Sequence, residues 1–120
     1  MTKYCAISVF GLLLGLVAGT ASASEYVNVH VTQIEVDTVP AALLLAVDAD
    51  VIGCKKGNFL NYKQSAAAST GGSDGVETIK AAYAGVLGAM LSERFIRLLV
   101  NQDSEGCSIE RLYVCATDCK

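Results

Sequence analysis

The chain has 120 residues, 52% of them hydrophobic, and a formal charge of −3 at pH 7, which leaves room for one domain. Nine basic residues stand against twelve acidic ones, and Lys55-Lys56 is the only basic pair. That balance excludes the cationic face that nucleic acid requires and speaks equally against an anionic membrane surface.

Residues 1–23 open with Lys3, continue through an apolar run from Ala6 to Val17 and end in Ala21-Ser22-Ala23, the three-part pattern of a cleavable export signal. A membrane-spanning helix needs ~20 apolar residues, and this run breaks off at Gly19-Thr20. Cleavage is expected after Ala23, which leaves residues 24–120 as one mature domain, periplasmic or secreted. Loss of Lys3 leaves eight basic against twelve acidic residues, a formal charge of −4. Cys5 departs with the signal, and the mature chain keeps Cys54, Cys107, Cys115 and Cys119. An even number in a small exported domain reads as a disulfide framework, and four cysteines allow three pairings that spacing does not decide.

Along the mature chain, residues 26–36 read as a strand with a fault. Val27, Val29 and Val31 alternate on one phase and Ile34 and Val36 on the other, so a bulge is expected near Thr32-Gln33. Residues 37–40 form a turn containing the only proline, and residues 41–51 read as a largely buried second strand with Asp48 and Asp50 at its solvated end. A glycine-bounded turn, residues 53–58, precedes a short third strand over residues 59–64. The small-residue stretch 65–75 reads as a slack loop. Asp74 with Glu77 predicts a helix start, and Ile79, Tyr83, Val86, Leu87, Met90 and Leu91 recur at helical spacing. Residues 95–100 are a fourth strand, 101–106 a turn and 109–116 a fifth strand.

Five strands with a helix between the third and fourth is the element order of the OB-fold, a Greek-key barrel. The fold class expected is therefore mainly β with one helix. Within this order, the Val-x-Val-x-Val-x-x-Ile start, the cysteine in the second turn, the segment from Ile79 to Met90, Arg97-Leu98-Leu99-Val100 and a late cysteine resemble small exported bacterial proteins related to the B subunit of subtilase cytotoxin. The resemblance spans most of residues 26–116. It implies an OB-fold, a structural disulfide and, for the toxin subunit itself, a ring of five copies that binds sialylated glycans. In such a barrel the third and fifth strands run side by side in parallel. Cys54 and Cys107 would then stand at the same end of neighbouring strands, within the roughly 4.4–6.8 Å Cα separation a disulfide needs. The pairing preferred on that basis is Cys54 with Cys107, which leaves Cys115 and Cys119 as a short hook.

No catalytic or cofactor motif accompanies these features. His30 has no serine or cysteine at motif spacing and reads as an exposed strand histidine. Cys115 and Cys119 lack the tight Cys-x-x-Cys pairs of a zinc site. Asp48 with Asp50, and Asp103 with Glu105, do not match a calcium loop, and the glycines 71–75 lack the Lys-Ser/Thr of a phosphate loop. Sugar recognition needs aromatic faces beside polar groups. Tyr26, Tyr62 and Tyr113 are the aromatic candidates, and Asn58, Asn61, Tyr62 and Lys63 on the third strand form the expected ligand surface. The toxin subunit's glycan-contacting positions have no one-to-one match, so no residue role is carried over. The sequence thus predicts a non-enzymatic exported module with a glycan or protein partner, or a periplasmic structural or inhibitory protein acting through a protein interface.

Overall fold

The computed structural model describes residues 24–71, 74–103, 106–116 and 119; the expected export signal lies outside them. Among these residues, six strands and two helices follow in the order β1 (Ser24–Val29), β2 (Val31–Glu35), β3 (Ala42–Val47), β4 (Leu60–Lys63), α1 (Gln64–Gly71), α2 (Gly75–Leu91), β5 (Ile96–Asp103) and β6 (Gly106–Val114). They form one mixed sheet of order β1-β5-β6-β4-β3-β2, in which β4 and β6 are parallel and the other pairs antiparallel.

The expected five strands become six because the first divides at His30. Val29 and Val31 both point into the core, at 2% and 6% exposure, but β1 pairs with β5 and β2 with β3. Among the described residues no ladder joins β1 to β2, so the sheet is not a closed barrel. The expected bulge is present: Val31 pairs with Val47 and Gln33 with Ala46, leaving Thr32 over. That extra residue turns Ile34 back toward the core. A second bulge falls between Leu99 and Val100, which face Arg111 and Ile109 and leave Glu110 unpaired. It explains why Ile109 and Leu112, on opposite phases of the sequence, both serve the core.

Two further expectations are corrected. The second strand ends at Val47, where Asp48 turns to His30, and Val51 instead bridges to Cys54. Residues 64–71 are helix α1 and not a loop. An eight-residue helix is marginal alone. Alanine costs nothing as a helix former, and the buried Ala67, packed with Ala66 on the core, supplies the anchoring. The Gln64 side chain donates to the Pro40 carbonyl at 2.8 Å. Where α2 begins, Gly75 passes so close to the Gln64 carbonyl that a Cβ would overlap it.

α2 begins as the capping pattern predicts, with the Glu77 backbone N–H donating to the Asp74 carboxylate at 3.2 Å. Ile79, Val86 and Ala89 are buried, Tyr83 and Met90 pack beside them, and Leu91, expected in the same stripe, is 75% exposed. At the other end, Arg94 N–H donates to the Ala89 carbonyl and Glu93 N–H to that of Met90. This is a Schellman closure with Glu93 in the left-handed region at φ 54°. Leu43, Leu45, Leu60, Ile96, Leu98 and Ile109 are the largest fully buried strand side chains in the same core. Cys54 is bonded to Cys107, with Cα atoms 6.3 Å apart, and Cys115 to Cys119, at 5.4 Å.

Candidate functional site

The four polar and aromatic residues expected to form a ligand surface on the third strand do not share one. Side chains alternate along β4, so Tyr62 points into the core at 3% exposure while Asn61 and Lys63 are half-buried on the other face. Asn58 is exposed in the preceding turn, where its N–H donates to the Lys55 carbonyl. The Asn61 side-chain oxygen is inaccessible and has no hydrogen-bond partner.

The other two tyrosine candidates do meet, on the outer face of β1, β5 and β6. Directly paired residues share a face, and the register lines up Tyr26, Leu99 and Arg111 in one row and Asn28, Arg97 and Tyr113 in the next. Tyr26 and Tyr113 are 47% and 42% exposed. The Arg97 guanidinium lies 4.6 Å from the centre of the Tyr26 ring, cation–π geometry. A hydrogen bond from Arg111 holds the Tyr113 hydroxyl below the usual phenol range, helped by Tyr26 and by the Arg97 charge, and Tyr113 in turn raises Arg111. Neither arginine forms a salt bridge among the described residues.

This face borders two concavities. A hollow of about 230 Å³ is lined by Tyr26, Arg97 and Tyr113. A larger cleft of about 430 Å³ runs between β6 and α2, with Arg111, Tyr113 and Val114 on one side, Thr78 and Ala82 on the other and Tyr62 also lining it. Tyr62 therefore contributes to a site from beneath, although not to the one expected on β4. Comparison with family models, curated proteins and solved structures finds no match. None of them links the chain to a subtilase cytotoxin B subunit.

Among the remaining sequence candidates, His30, Asp48 and Asp50 have structural partners. His30 donates its backbone N–H to Asp48 Oδ1 at 2.9 Å, and its Nδ1 lies 3.1 Å from Oδ2. Its ring centre is 3.9 Å from that of Phe95. Burial pushes the Asp48 carboxyl up, but the His30 N–H and ring outweigh it, and Asp48 titrates below the usual aspartate value. Asp50 accepts the Lys56 N–H at 2.7 Å. Glu105 lies outside the described residues, as do residues 72 and 73 of the glycine segment. No group of three or more His, Cys, Asp or Glu among the described residues is arranged for a metal ion, and no helix among them is long and apolar enough to cross a membrane.

The Asp48 pair has a pH signature. A carboxyl whose folded value is depressed contributes stability above its unfolded value and loses it as pH falls through the folded one. Melting curves are expected to show a loss on acidification below about pH 4, smaller in Asp48→Asn than in the parent. An identical acid limb in both proteins would refute the assignment.

Proposed function

We propose that the protein is an exported, non-enzymatic binding module of the OB type that holds an acidic glycan on the Tyr26–Arg97–Tyr113–Arg111 face. The observation that carries the ligand class is the pairing of two exposed tyrosines with two arginines that form no salt bridge among the described residues. Flat aromatic faces suit the apolar side of a sugar ring, and guanidinium forks suit a carboxylate. The 430 Å³ cleft beside them is in the size range of small-ligand sites.

The OB reading is supported by the strand order. β1 and β2 stand at opposite ends of the sheet yet are separated in the chain by His30 alone. Taken as two halves of one bent strand, they reduce the six strands to five, with the helices between the third and fourth and the third and fifth parallel. The same tyrosines and arginines also suit the centre of a protein interface, which is the second reading.

The test is calorimetric titration of the disulfide-bonded protein with carboxylated and with neutral oligosaccharides. Carboxylated sugars are expected to bind, and Arg97→Ala combined with Arg111→Ala to weaken them at least tenfold, since a charge-assisted hydrogen bond contributes about 1.5–3 kcal/mol. Binding of neutral sugars alone, or full affinity in the double variant, would reject the acidic-glycan reading. No sugar binding at all would leave the face to a protein partner.

A further inference from the structure

A second cleft, of about 420 Å³, shares no residue with the tyrosine and arginine face and lies where the β1–β2 bend meets the end of α2. Its lining is apolar at Val31, Ala89 and Met90 and charged at Asp48, Glu93 and Arg94. We propose that this cleft receives a lysine or arginine side chain of a partner protein, with the methylene stem against Val31, Ala89 and Met90 and the cationic head at Asp48 and Glu93.

Two observations support that chemistry. Asp48 is held in place by two contacts from His30, itself backed by Phe95, yet its side chain stays 41% exposed, so an oriented carboxylate still faces solvent. Glu93 occupies the left-handed position of the Schellman closure, where glycine is the ordinary choice and a side chain is strained. Its carboxylate makes no salt bridge among the described residues that would compensate, and its side chain lines the cleft. Arg94 also lines the cleft and repels a second cation, so the head is placed at Asp48 and Glu93 and not beside it. Long side chains of this kind bury their stem and keep the head polar, and an excess of acidic residues attracts a basic partner at range.

Glu93 also supplies the decisive variant, because Glu93→Gly removes the carboxylate while relieving the left-handed backbone. The full disulfide-bonded chain is titrated with Nα-acetyl-L-lysine methylamide and with its norleucine counterpart, which has the stem without the ammonium, while backbone amide resonances are followed. The lysine probe is expected to shift the signals of His30, Ala89, Met90 and Glu93 and to bind at least fivefold more tightly than the norleucine probe. Glu93→Gly is expected to melt no lower than the parent and to lose that preference. Equal binding of the two probes, absence of shifts at these residues, or an unchanged lysine preference in Glu93→Gly would overturn the proposal. In the last case a thermal gain would assign Glu93 to backbone strain alone.

Discussion

Replacing Cys54 and Cys107 together by alanine is expected to lower the unfolding free energy by about 4 kcal/mol, the value the loop-entropy relation gives for a closed loop of 53 residues. The Cys115–Cys119 bond spans only four residues, and its removal should cost about 2 kcal/mol on the same relation. The larger loss is a big share of the total stability, ~5–15 kcal/mol, of a small domain. Guanidinium unfolding of the two double variants without reductant measures the difference. Equal losses would show that the long bridge acts through local packing of the buried Cys107 and not through chain constraint. The long bridge also matters to the site. It ties the turn before β4 to the first residues of β6, the strand that goes on to carry Arg111 and Tyr113.

Much of this architecture is legible in the residues, and the failures have identifiable causes. The switch of apolar phase after Val31 gives away the Thr32 bulge, because a change of face in a period-two pattern requires an extra residue. The helix start is legible in Asp74 and Glu77 because a cap is a local interaction. The break at His30 is not. Val29, His30 and Val31 alternate without interruption, and only the exchange of pairing partner, from β5 to β3, ends one strand and begins the next. α1 escapes because serine, glycine and threonine mask the alanines, and because what stabilises it is Ala67 against the core, a tertiary fact. The face that carries the proposed site was half visible: Tyr26 and Tyr113 stand out as aromatics. Arg97 and Arg111 carry a signal too, since each is a charge set in an apolar strand, on the phase opposite Leu98 and Leu112. What period-two patterning lacks is the register that brings three strands' outward residues into two adjacent rows.

Tyr62→Ala is expected to destabilise the protein by about 3–5 kcal/mol, the usual loss for truncating a large aromatic in a core, whereas Tyr113→Ala should change stability by about 0.5 kcal/mol or less. Their exposures, 3% and 42%, set that contrast. Binding should divide the other way. Tyr113→Ala removes the ring and the hydroxyl that positions Arg111, so affinity for a carboxylated sugar should fall at least tenfold in a protein that still melts normally. Tyr62→Phe keeps the core volume and deletes only the hydroxyl of a residue lining the cleft, and should preserve both the fold and most of the affinity. Melting temperature and calorimetric affinity for the three variants separate the two roles. A stable Tyr62→Ala protein that has lost its ligand would place recognition on β4, where the sequence pattern first put it. A stable Tyr113→Ala protein with full affinity would remove the β1–β5–β6 face from recognition altogether.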